Sequence, residues 1–150
     1  MMKQKWLYFG VLTALFLLVL FSLGSGLWGS EQTGRHWTEK LFYGVCHQMP
    51  DRSFTFNSLP MAVNSRCFGI FFGLFAGWLT IPLSYKLTFK KTWPVKLLLF
   101  AVILQIIDFS GNYLQLWVNT NLSRALLGFL LGAGASLSIG DLFYNNNSKK

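Results

Sequence analysis

The stretch Leu97-Leu98-Leu99-Phe100-Ala101-Val102-Ile103-Leu104-Gln105-Ile106-Ile107-Asp108-Phe109-Ser110-Gly111-Asn112-Tyr113-Leu114-Gln115-Leu116-Trp117 decides the fold. It is apolar on nearly every side, carries one charge, and matches the ~20 residues a helix needs to cross hydrocarbon. Three more runs have the same character: Trp6 to Trp28, Cys67 to Tyr85 and Ala125 to Tyr144. Lipid offers the backbone no hydrogen-bond partner, so each run must satisfy its own amides as a helix. The expectation is an all-α fold: a four-helix transmembrane bundle with an amphipathic helix and an irregular loop on the outer face. It forms a single integral membrane domain, with helices at about 6–28, 67–85, 97–117 and 124–144 and an outer loop at 29–66.

Composition points the same way. The 150 residues are 53% hydrophobic and only 12% charged, against roughly 25% charged in soluble chains. The net charge of +8 would suggest nucleic acid in a soluble protein. Here the basic residues stand at the ends of apolar runs, where they set topology and meet lipid headgroups, so no nucleic-acid partner is expected. The first run follows Lys3 and Lys5, as a signal peptide would. It exceeds the ~7–15 apolar residues of a signal core, so it reads as a retained span. Lys3, Lys5, Lys86, Lys90, Lys91, Lys96, Lys149 and Lys150 fall on one side of a four-span chain. The positive-inside rule makes that side cytoplasmic, with both termini, in the cell membrane.

The outer loop is too apolar for a linker. Trp37, Leu41 and Val45 share one helical face, predicting an amphipathic helix from about Arg35 to His47 that Pro50 stops. His36, beside Arg35, reads as a solvated surface residue. Small residues recur at Gly69, Gly73 and Gly77, and again at Gly128, Gly132, Ser136 and Gly140. Such stripes let helix backbones approach closely, within the chain or in a homo-oligomer.

In the third run Gln105, Asp108, Asn112 and Gln115 form one helical stripe. Asp108 falls near the middle of that run, where a carboxylate costs ~2.5–3.5 kcal/mol unless it finds a partner, a proton or water. The stripe is expected to face the bundle interior on the side of the fourth helix, with Arg124 nearer to Gln115 and Asn112 than to Asp108. Three groups then converge on the outer face: Cys46, His47, Gln48 and Arg52 in the loop; Arg66 and Cys67 at the second helix; and Arg124 with Asn112 and Gln115. Cys46 and Cys67 are the only cysteines, and the expectation is that they lie close enough to join.

The run Cys46-His47-Gln48-Met49-Pro50-Asp51-Arg52-Ser53-Phe54, followed by Arg66-Cys67-Phe68-Gly69-Ile70, resembles the domain of unknown function 2085 family of small prokaryotic membrane proteins. Asp108, Gln115, Arg124, Gly128 and Gly132 match its later signature. Members of that family often carry Cys-x-Arg-Cys where this chain has Asn64, which leaves too few ligands for a structural zinc site. No metal or cofactor is therefore expected, and the family's activity is unassigned.

Three functional classes remain. The first is binding or movement of a small anionic ligand or lipid headgroup by Arg52, Arg66 and Arg124, with Asp108 as counter-charge or proton acceptor. The second is a disulfide or exchange-active thiol pair at Cys46 and Cys67, influenced by His47. The third is a membrane-embedded hydrolase or transferase with His47 and Asp51 or Asp108 as base, although no nucleophile elbow or metalloprotease motif supports it. An accessory subunit held by the glycine stripes would need no site. Whether the chain is an enzyme stays open.

Overall fold

The structure, a computed structural model, describes residues 2–29, 36–84 and 92–145. Its elements are α1 (Met2–Ser22), α2 (Ser25–Trp28), α3 (Trp37–Phe42), a 3-10 turn (Pro50–Arg52), β1 (Thr55–Phe56), β2 (Leu59–Pro60), α4 (Ser65–Ser84), α5 (Trp93–Tyr113) and α6 (Asn121–Asn145). Helices α1, α4, α5 and α6 are each long and apolar enough to cross a membrane, as the four apolar runs predict. The basic residues Lys86, Lys90, Lys91, Lys149 and Lys150 lie outside the described residues, as does Arg35.

The two small-residue stripes meet each other within the chain. A Cβ on Gly69 would stand 2.1 Å from the carbonyl oxygen of Ala125, and one on Gly73 2.3 Å from that of Phe129. In return, Gly128 faces the carbonyl of Arg66 at 2.3 Å and Gly132 that of Ile70 at 2.2 Å. Nothing larger than glycine fits, so α4 and α6 pack backbone against backbone. The other helices attach to this pair. Backbone neighbours run chiefly α1 to α4, α4 to α6 and α6 to α5, so α4 and α5 have little close backbone contact. Tyr8 and Trp78 tie α1 to α4 reciprocally: the Tyr8 hydroxyl donates to Trp78 O at 3.3 Å, and Trp78 Nε1 donates to Tyr8 O at 3.2 Å.

Helix ends differ from expectation where local chemistry overrides hydropathy. The first run breaks at Gly24 (φ 72°), which lies against Ala62, so α1 stops at Ser22 and α2 forms a separate turn. Pro82 is accommodated inside α4, near its end. Helix α5 spans Trp93–Tyr113 instead of 97–117. Pro94 starts it in the first turn, where a proline costs no hydrogen bond. Gln115, in the left-handed region at φ 58°, ends it. The N–H of Leu116 returns to Gly111 O at 2.9 Å and that of Gln115 to Asn112 O at 3.2 Å, a Schellman closure.

Between α2 and α4 the chain forms a cap on one end of the bundle. Gln48 (φ 49°) donates to Glu39 O at 2.6 Å and to Ala62 O at 3.0 Å, tying α3 to the segment before α4. Ala62 and Val63 are fully buried, packed with Phe42 and Cys46 over Leu18, Phe21 and Phe71. The predicted amphipathic helix contracts to Trp37–Phe42, followed by a turn through Gly44. Thr38 and Phe42 within it, and Cys46 after it, are buried, one position round from the apolar face of Trp37, Leu41 and Val45. That face stays exposed, available to the bilayer surface. His36 is buried rather than solvated, because its Nδ1 caps α3 at the Thr38 N–H and meets the Thr38 hydroxyl at 2.6 Å.

The close α4–α6 contact generates a test. Gly73→Leu should overpack it and destabilise the protein by roughly 3 kcal/mol or more. Gly10→Ala, with nothing near its new methyl group, should not. Unfolding in detergent, followed by circular dichroism, compares the two.

Candidate functional site

Helix α5 ends at Tyr113, so Asp108 lies five residues from the cap end, about 7.5 Å along the axis and not at the span's centre. At that depth it meets Arg66, the second residue of α4. Arg66 Nη2 donates to Asp108 Oδ2 at 2.6 Å, bridging helices that barely touch otherwise. Asn119 Nδ2 donates to the same oxygen at 2.7 Å, and the Asn119 N–H reaches Asn112 Oδ1 at 3.4 Å. The carboxylate is thus a partnered group, as an acid within a span must be. The partner is Arg66 and not a group on α6.

Arg124, on the first turn of α6, is half-buried. Its Nη1 lies 3.5 Å from Asn121 Oδ1, and the charges of Arg52, Arg66 and Asp108 all act on it. Asn121 organises this corner: Nδ2 donates to Ser53 O at 3.0 Å, and Oδ1 accepts from the Ser65 hydroxyl at 3.4 Å. Arg52 is exposed on the cap. Arg124 therefore feels two further guanidiniums and one carboxylate at this end.

Beside them lies the thiol pair. Cys46 and Cys67 are free, and their thiols lie within hydrogen-bonding reach of each other. The Asn64 N–H adds a second bond to Cys46 Sγ at 3.2 Å. Against the opposing effect of burial, the Cys67 hydrogen bond foremost, with backbone bonds from Asn64 and Gln48 and the charge of His47, lowers the Cys46 pKa to about 5.

Among the predicted residues, the structure brings together Arg66 with Asp108, Asn112 through Asn119, Arg124 with the charges of Arg52 and Arg66, and Cys46 with Cys67. Gln115 does not join them. The left-handed turn carries it off the helix into an exposed position, which removes it from the stripe. His47 is exposed on the cap. Among the described residues no three of His, Cys, Asp and Glu assemble as metal ligands. Asn64, Asn119 and Asn121 were not candidates, yet they hold the corner. The Asn119-Thr120-Asn121 run at the start of α6 carries the signal, since such residues favour helix starts.

Two outcomes follow for the thiols. A mild oxidant should remove two hydrogens from the intact protein by joining Cys46 to Cys67, without unfolding it. Alkylation of Cys46 by a small reagent should titrate with a midpoint near 5, and Cys67→Ala should move that midpoint up towards the ordinary ~8.5. Because folding lowers this pKa, the thiolate's contribution to stability is full above the ordinary cysteine value and disappears as pH falls through about 5. Mass spectrometry follows both reactions; an ordinary midpoint in the unaltered protein would contradict the thiol geometry.

Comparison with known proteins agrees with this architecture. The chain is 34% identical over 106 residues to an uncharacterised protein of Methanocaldococcus jannaschii, covering 71% of this chain and 68% of that one. No solved structure matches it. Residues 46–138, from the thiol of the cap into the second half of α6, match the family described as a predicted membrane protein, domain of unknown function 2085. The chain belongs to that family.

Proposed function

We propose that the cap faces outward, with both termini in the cytoplasm of a cell-membrane protein, and that the cap end binds or moves a small anion. Inorganic phosphate, a carboxylate and a phosphorylated lipid headgroup share the required chemistry. The observation that carries this reading is the charge imbalance around Arg124: the positive charges of Arg52 and Arg66 act on it, against the one carboxylate of Asp108. Guanidiniums are suited to this role, since each presents a fork of donors that matches phosphate or carboxylate. Asp108 occupies one side of Arg66 and holds it in place. Arg124, with only a long contact to Asn121, and exposed Arg52 have donors left to offer. An arriving anion can also compete with Asp108 for Arg66, which gives movement a first step.

A second reading rests on the thiol pair. Cys46 is only 4% exposed, so a protein-sized exchange partner cannot reach it. The geometry favours a staple between cap and α4 over an exchange enzyme.

Titrating purified protein in detergent with inorganic phosphate tests the anion reading. Binding should weaken as salt rises. Arg124→Gln should cost about tenfold or more in affinity, the loss of a hydrogen bond to a charged acceptor. Cys46→Ala with Cys67→Ala should leave binding unchanged. Equal affinity in Arg124→Gln and Arg52→Gln variants would refute the cluster, and a reporter fused after Lys150 that reads as external would refute the orientation.

A further inference from the structure

Under the Arg66–Asp108 bridge, α4 and α5 stand apart, with α6 behind them, and a groove of about 370 Å³ opens between them. Arg66 and Ile70 of α4, Leu131 of α6, and Val102, Gln105, Ile106 and Phe109 of α5 line it. Its volume falls within the roughly 300–1,000 Å³ of ligand pockets. From Phe109 to Val102 it runs about 10 Å along α5, away from the cap. Val102, Ile106 and Phe109 are exposed at 38%, 60% and 62%, so the groove opens sideways, where a bilayer surrounds the spans.

Its polar atoms make it more than a gap. Arg66 Nε and Gln105 Nε2 are buried and have no hydrogen-bond partner among the described residues. Both are donors, and both belong to residues lining the groove. A buried donor without an acceptor is costly, and native structures contain few of them. The complementary occupant therefore brings acceptors near the cap end and hydrocarbon below. Charge selects further, because the groove begins at Arg66, whose positive charge acts on Arg124 together with that of Arg52.

We propose that this groove holds one acyl chain of an anionic phospholipid taken laterally from the bilayer. Its phosphate oxygens accept from Arg66 Nε, its ester carbonyl from Gln105 Nε2, and its tail lies along Ile70, Val102, Ile106 and Leu131. The assignment deepens the anion reading and rests on it for the headgroup.

Native mass spectrometry of the full chain in detergent tests this with three probes: phosphatidylglycerol, phosphatidylcholine and tail-free glycerol phosphate. The expected result is one phosphatidylglycerol retained in preference to phosphatidylcholine. Gln105→Leu should cut that retention about fivefold, and Val102→Trp, which fills the groove, should abolish it. Both variants should unfold at the native temperature and bind glycerol phosphate as the native protein does. If glycerol phosphate binds but neither variant alters lipid retention, the groove assignment is overturned and the cluster stands. Lipid retention that the variants abolish, with no glycerol phosphate binding at all, would support the groove and overturn the cluster reading. A lipid-free dimer that Val102→Trp dissociates would assign the groove to a second copy and overturn the proposal.

Discussion

Helix α6 can lie against α4 only because both faces lack side chains. In lipid there is no hydrophobic drive to bring apolar helices together, so association depends on close packing and polar contacts. Gly69 and Gly73 on one helix, Gly128 and Gly132 on the other, put each helix's carbonyls against its partner's missing Cβ. The geometry of the cap end follows from this. Arg66 is one turn from Gly69 and Arg124 one turn from Gly128, so the contact that joins the helices also sets two guanidiniums side by side. Repulsion between them is the cost, and Asp108 offsets it.

Asp108 in turn positions α5. That helix packs on α6, with Gly134 against Leu98, and reaches α4 chiefly through the Arg66 bridge and the groove beneath it. An ion pair so placed is held by geometry and by the second bond from Asn119, since desolvation cancels much of its attraction. The cap secures the same corner from above: Ser53 O accepts from Asn121, Asn64 Oδ1 accepts from the Met49 N–H at 2.8 Å, and Gln48 ties α3 to Ala62. Cys46, Gln48 and Ser53 of the motif thus build the cap, while His47, Asp51 and Arg52 are left exposed.

The sequence shows the four spans plainly, because a bilayer demands long apolar runs and these are hard to mistake. It shows the glycine stripes too, although period alone does not say that they face one another. The end of α5 was hidden. Hydropathy continues to Trp117, while the helix closes at Gln115, a residue with no strong preference for the left-handed conformation. That four-residue shift moved Asp108 towards the cap, within reach of Arg66. His36 misled in a similar way: its charged neighbour suggested solvent, whereas the start of α3 needed a cap. The asparagines of the corner are short polar residues in turns, which composition cannot distinguish from ordinary loop.

The central claim is that Arg66 and Asp108 join α4 to α5 at the cap end. A double-mutant cycle with Arg66→Ala and Asp108→Ala, read by unfolding in detergent, tests it most directly. The account predicts a coupling of about 1–3 kcal/mol, with the double variant less damaged than the two single losses added together. Additivity within about 0.5 kcal/mol would mean that the two groups do not meet, and would contradict it.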